Sequence, residues 1–188
     1  MNKIVVYSNG PQQLIYYPDF FKRSHFSALR NQLPWQQNEI RVFGKLHNEP
    51  RLTCWFGPAY KYSSIQWPEA EFPELINEIK LQLQTATDFS FNAVLANFYR
   101  SGDDSMGWHS DNEPEMDKSL IASVTFGGKR IFKMRQRSTG QKIELELIDS
   151  SLLLMHNMQD DWQHAVPKSK TRLAPRINLT YRRITKLT

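Results

Sequence analysis

From Phe91 onward the chain is a succession of short apolar or alternating runs. They are Phe91–Arg100, Leu120–Phe126, Lys129–Arg135, Lys142–Ile148, Ser151–His156 and Ala174–Arg183. Between them stand Ser101-Gly102-Asp103-Asp104, Gly127-Gly128 and Ser138-Thr139-Gly140, residues that reverse a chain at little steric cost. The run KIELELI alternates cleanly, so that strand has one face in water. Many short strands can bury their apolar sides only against one another. This spacing therefore predicts a β-sandwich, jelly roll or barrel.

Two helices are expected to support that sheet. Pro18 to Leu33 carries Phe26, Leu29 and Leu33 at helical spacing, with Pro18 and Asp19 suited to its start. In the second, Pro73 opens a turn followed by Leu75, Ile76, Ile79 and Leu83. The expected class is thus mainly β with supporting helices (α+β). A length of 188 residues suits a single domain. No apolar run approaches the roughly 20 residues of a membrane span. The opening MNKIVVYSNGPQQ lacks a signal peptide's apolar block. One cysteine, Cys54, excludes an internal disulfide framework and a multi-cysteine zinc site. A cytoplasmic enzyme, more readily a monomer than an oligomer, is the expectation. The net charge of +5 is compatible with phosphate-backbone binding without requiring it.

The segment PRINLTYR carries the strongest physical signal. On an extended strand Arg176, Asn178, Thr180 and Arg182 share one face, and Ile177, Leu179 and Tyr181 share the other. The polar face suits either water or an anion. Two guanidiniums on one face fit a dicarboxylate, each making a paired contact with a carboxylate, and a phosphate-bearing ligand fits almost as well.

WHSDNEP, residues 108–114, places His109 and Asp111 two apart. Joined by a second imidazole, they form a facial two-histidine, one-carboxylate set with open positions, typical of non-haem Fe(II) oxygenases. His156 and His164 are both candidates for that third ligand by position alone. A bidentate 2-oxo acid and O2 would fill the open positions, and an arginine would meet the distal carboxylate of 2-oxoglutarate.

WHSDNEP, DWQHAVP and APRINLTYR resemble, in order and spacing, motifs of the AlkB family of Fe(II)- and 2-oxoglutarate-dependent nucleic-acid dealkylases. The resemblance covers roughly Leu33 to Ile184 and implies a double-stranded β-helix, a jelly-roll-like barrel with the metal in its open end. It implies His109, Asp111 and His164 as metal ligands. It also implies Arg176, Asn178, Thr180 and Arg182, with Asn97 and Tyr99 of LANFY, as residues around 2-oxoglutarate. The implied reaction is oxidative: 2-oxoglutarate and O2 are consumed, succinate and carbon dioxide form, and an N-alkyl carbon leaves as formaldehyde. The region to about residue 90 then reads as an N-terminal extension with a nucleotide-recognition lid, and residues 91–184 as the catalytic β-helix.

In the lid, PRLTCWFGPAYKYS interleaves aromatics with cations, the composition of a stacking-and-phosphate surface. Tyr62 and Trp55 are the candidates to pack around a damaged base, and Tyr60 and Arg51 those to touch the nucleic-acid backbone. Val42-Phe43-Gly44 resembles the apolar finger of duplex-acting members, which fills the gap left by a flipped base. RLTCWFG and WHSDNEPEM look closer to members that prefer single strands. Asn112 stands where the close family pattern has a second acid, and Glu113 matches. The expected partner is alkylated DNA carrying lesions of the 1-methyladenine and 3-methylcytosine type. RNA or a protein side chain is the alternative substrate for the same chemistry.

Overall fold

The computed structural model describes residues 2–42, 45–62 and 65–185, apart from the side chains of 41, 42, 61 and 62. The chain begins with an antiparallel hairpin, β1 (Ile4–Asn9) and β2 (Gln12–Tyr17), turning at Gly10 with φ +56°. Helix α1 (Phe26–Gln32) follows, then β3 (Glu39–Val42), β4 (Lys45–Asn48), β5 (Leu52–Phe56), β6 (Tyr60–Tyr62) and β7 (Ile65–Trp67). Helix α2 (Glu74–Thr87) leads into β8 (Ala93–Tyr99) and β9 (Met106–His109). The remaining strands are β10 (Leu120–Gly127), β11 (Arg130–Gln136), β12 (Lys142–Leu147), β13 (Ser151–His156), β14 (Trp162–Val166) and β15 (Arg176–Arg182).

Two antiparallel sheets make the body of a jelly-roll core. The larger runs β1-β2-β13-β10-β15-β8-β5 and the smaller β12-β11-β14-β9. Strands from ahead of Phe91 and from after it therefore share one sheet. β3 pairs with β4, and β6 with β7, as separate short hairpins. No helix among the described residues is long and apolar enough to cross a membrane.

Alternation along the strands sorts side chains between two layers. Val94, Ala96, Val124, Phe126, Leu152, Leu154, Ile177, Leu179 and Tyr181 face the helices and join one core. Tyr99, Ile121, Leu153 and Met155 face the smaller sheet, where Phe132, Met134, Trp162 and Val166 meet them. In α2 the spacing read from the sequence holds, and Ile76, Ile79 and Leu83 are fully buried. The Tyr181 hydroxyl donates to the Ile76 carbonyl at 2.8 Å, tying that helix to the central strand.

The first helix is shorter than the sequence suggests. Residues 18–25 are turn and bend, and regular helix spans only Phe26–Gln32. Phe20 and Phe21 are adjacent, and both are buried. Neighbours on a helix point about 100° apart, so one regular turn does not bury both well. The irregular backbone lets both rings in, and the Phe21 N–H donates to the Ser150 carbonyl at 3.0 Å.

The turn from β10 to β11 is sterically closed. Gly127 has φ +85°, and a Cβ there would lie 2.7 Å from the Pro175 carbonyl oxygen. A Gly127→Ala protein is expected to lose at least about 1 kcal/mol, read as a lower urea midpoint with an unchanged slope.

Candidate metal centre

Strands β9 and β14 are neighbours, and His109 stands opposite His164 in their ladder. The register shifts between His164 and Val166, a bulge of the kind that re-aims side chains beside sites. Both imidazoles point between the sheets, with ring centroids 4.2 Å apart. Asp111 follows two residues after β9, its loop held because its own N–H donates to Gln159 Oε1 at 3.0 Å. One ligand atom from each of His109, Asp111 and His164 lies within 4.8 Å of the others. His156, equally eligible by position in the sequence, ends β13 elsewhere in the larger sheet.

The ligand atoms are in the right chemical form. His109 Nδ1 lies 2.8 Å from the Gly107 carbonyl, which fixes the proton there and turns the Nε2 lone pair inward. The two Nε2 atoms stand 4.0 and 3.9 Å from the Asp111 oxygens. Arg182 Nη2 donates to Asp111 Oδ1 at 2.7 Å, whereas Asp111 Oδ2 is buried without a donor among the described residues. Burial pushes His164 down to about 3, reinforced by the neighbouring His109, with Asp111 opposing. Burial likewise lowers His109. Burial alone would raise Asp111, but Arg182 and the two imidazoles outweigh it and hold the carboxyl below its ordinary range. Two neutral imidazoles and one carboxylate suit a divalent iron.

From this centre a slot runs along β15. Its walls include Leu95, Asn97, Tyr99, Ser123, Asn178, Thr180 and Arg182, with apolar cover from Met106, Phe132, Met155 and Val166. All seven residues of β15 are buried, so its polar face looks inward and not to water. Thr180 Oγ1 donates to Asn178 Oδ1 at 3.0 Å, and Asn178 Nδ2 donates to Ser123 Oγ at 2.8 Å. Arg176 Nη2 donates to Thr125 Oγ1 at 2.9 Å, and the guanidinium lies 5.3 Å from the centre of the Tyr99 ring. Nε and Nη1 of Arg176 are buried without an acceptor among the described residues. Burial lowers Arg176 to about 10, which still leaves it charged at neutral pH.

Ser123 and Thr125 were not singled out in the sequence. Their alternation in IASVTF, opposite Thr180 and Asn178 in the ladder, is the signal that would have found them. Gln159, 1% exposed, gave no such signal.

The lid residues differ from their expected roles. Arg51 is not a surface contact: it is 2% exposed, donates through Nε to Asn97 Oδ1 at 2.7 Å, and pairs with Glu49 at 3.0 Å. Trp55 does not present a face for a base. It is 4% exposed, stacks on Tyr60 with centroids 4.8 Å apart, and donates to the Pro58 carbonyl. Tyr60 is also buried, its phenol beside Glu113 and kept protonated by burial. These aromatics pack with Trp67, Leu95 and Met116 as a third apolar cluster. Asn112 is exposed at the rim, whereas Glu113 is half-buried and its carboxyl is raised by burial and by Asp111. Phe43 and Gly44, and the side chains of Val42 and Tyr62, lie outside the described residues.

The model of the 2OG-Fe(II) oxygenase superfamily matches residues 13–182. Alpha-ketoglutarate-dependent dioxygenase alkB homolog 3 of Bos taurus is 36% identical over 174 residues, 86% of this chain and 61% of that one. The Homo sapiens protein of the same name is 33% identical over 192 residues, 93% of this chain and 67% of that one. DNA oxidative demethylase ALKBH2 of Homo sapiens is 36% identical over 158 residues, 77% of this chain and 60% of that one. The chain thus spans about three-fifths to two-thirds of the length of these relatives. The solved structure of OsALKBH1 aligns with a TM-score of 0.62 at 15% identity, covering 96% of this chain and 100% of that one. That likeness is one of fold.

Both histidines have folded values below the ordinary 6.5, so the unfolded chain binds more protons below that pH. Stability of the metal-free protein is therefore complete above about pH 6.5 and falls on acidification toward 3. Asp111 adds a loss of the same sign below 3.8. Urea unfolding at stepped pH should show this decline, and His164→Gln should flatten it. Stability that rises on acidification would contradict the assignment.

Proposed function

Because the chain belongs to the 2OG-Fe(II) oxygenase superfamily, among its AlkB homologues, we propose that it oxidatively removes alkyl groups from nitrogen atoms of DNA bases. Lesions of the 1-methyladenine and 3-methylcytosine type are its substrates in this reading. The observation that carries the proposal is the joining of two features on one strand. β15 brings Arg182 to Asp111 of the ligand triad, and six residues away it buries a second guanidinium, Arg176, with no carboxylate partner among the described residues.

His109, Asp111 and His164 would hold iron. With 2-oxoglutarate and O2, that metal supplies hydroxylation of the N-alkyl carbon, coupled to decarboxylation of the keto acid. The protein's own contribution is positioning. Arg182 keeps Asp111 ionised and directed at the imidazoles, and marks the metal end of the slot. Arg176, held from one side by Thr125 and backed by Tyr99, offers its remaining N–H groups to the distal carboxylate. The Asn97 carbonyl oxygen is occupied by Arg51, so its amide nitrogen is left to donate into the slot. The apolar cover of Met106, Phe132 and Val166 keeps water from the reacting carbon. Glu113, half-buried beside the Tyr60 phenol, is suited to meet the polar edge of an extruded base.

The test is release of succinate and formaldehyde from oligonucleotides bearing either lesion, in single-stranded DNA, duplex DNA and RNA, with a methylated peptide as a further arm. Turnover on DNA above the other arms is expected, and no turnover on DNA rejects the proposal. His109→Ala and His164→Ala should each lose at least about 100-fold in kcat, beyond what loss of a supporting contact costs at a metal. Arg176→Lys should raise KM for 2-oxoglutarate by about 10–100-fold, the worth of a paired charged hydrogen bond, with a smaller change in kcat.

A further inference from the structure

β9 is an edge strand of the smaller sheet, and its residues look to opposite sides. His109 turns in toward the ligand triad, while Trp108 turns out and is 40% exposed. Trp108 is the only aromatic among the exposed large apolar residues in the described part of the chain. Arg135 of β11 lies over its ring at 4.4 Å and is braced by donating to Gln163 at 3.0 Å. Lys142 of β12 stands opposite Arg135 in the ladder and is exposed. Neither Arg135 nor Lys142 has a carboxylate partner among the described residues, whereas neighbouring Lys133 is paired with Glu144 at 2.9 Å. The edge itself is open: a Cβ added at Gly107, beside Trp108, meets nothing within 4 Å.

We infer that this outer face is a second docking surface for a single nucleic-acid strand. The strand crosses the β9 edge so that one base enters beside His109 while a flanking base stacks on Trp108. The inference rests on the reading that the substrate is a nucleic acid, and it adds where the flanking nucleotides go. An exposed indole with two unpaired cations beside it has the make-up of a sequence-tolerant single-strand platform. The ring stacks on any base, and the cations take the phosphates. The Arg135 contact fixes the indole plane in advance, so little ordering remains when a base arrives. A duplex is not the partner this face fits, because the stacking surface of a paired base is already covered by its neighbours.

The experiment measures binding of unmodified single-stranded DNA to the iron- and 2-oxoglutarate-loaded protein without O2, by fluorescence anisotropy, with a labelled mononucleotide, which has no flanking base, and a dodecamer. In Trp108→Ala the ratio of dodecamer to mononucleotide affinity is expected to fall about tenfold, as loss of one stacked base predicts. In Trp108→Phe, which keeps a ring, the ratio should stay within about twofold of the parent. The doubly substituted Arg135→Gln, Lys142→Gln protein should show a shallower salt dependence, by about 0.7 per cation in the log–log slope. An unchanged ratio in Trp108→Ala, or an unchanged slope in the double variant, overturns the inference. Because the DNA carries no lesion and nothing is turned over, absence of demethylation would leave this readout intact.

Discussion

One ion pair organises this molecule. Arg182 comes from the middle of the larger sheet and Asp111 from the loop that leaves the smaller one, and they meet at 2.7 Å with both side chains nearly free of solvent. Two charges taken out of water cost more than their attraction returns unless their remaining atoms are also engaged. Here the other Asp111 oxygen faces the His164 imidazole at 3.9 Å and has no donor among the described residues, which is a use for the carboxylate that the protein alone does not complete. The pair thus does three things at once. It bridges the layers, keeps a carboxyl ionised in a dry interior, and sets the direction in which that carboxyl can act.

The rest of the slot follows from the pleat of β15. Side chains two apart share a face, so a single strand spreads a guanidinium, an amide, a hydroxyl and a second guanidinium along one wall. Their hydrogen bonds are passed on to Ser123 and Thr125 of the adjoining strand, which locks the donors in place before any ligand enters. Such fixed donors act on a charged ligand with little reorganisation. The apolar face of the same strand is held by α2 through Tyr181, so the polar wall has a rigid back.

Periodicity made the sheet legible. KIELEL, SLLLMH and RINLTYR lie in strands close to the bounds their alternation suggests, and the two halves of RINLTYR face opposite layers. His109 and Asp111 could be read because two-residue spacing is local, whereas choosing His164 over His156 needed the family resemblance. Arg51 could not be read. An arginine in a polar stretch looks solvated, and only the fold brings Glu49 and Asn97 around it, the latter 46 residues away. Trp55 and Tyr60 misled for the same reason: interleaved cations suggested a wet surface, but the two rings cover each other. The first hairpin has its own signal in the sequence, since Gly10-Pro11, the two turn residues between Asn9 and Gln12, stand between two runs rich in apolar residues.

The order of strands bears on what holds the larger sheet together. β15 follows every other strand among the described residues yet is inserted between β10 and β8, with no direct pairing between those two. Without that insert the larger sheet is two parts with no ladder between them, β1-β2-β13-β10 on one side and β8-β5 on the other. That insert carries the charged wall. Closing such distant pairings is slow. Arg182 meets the carboxylate it orients only as that gap is zipped shut, whereas the three ligand residues lie on β9, on the loop after it and on β14, all ahead of β15.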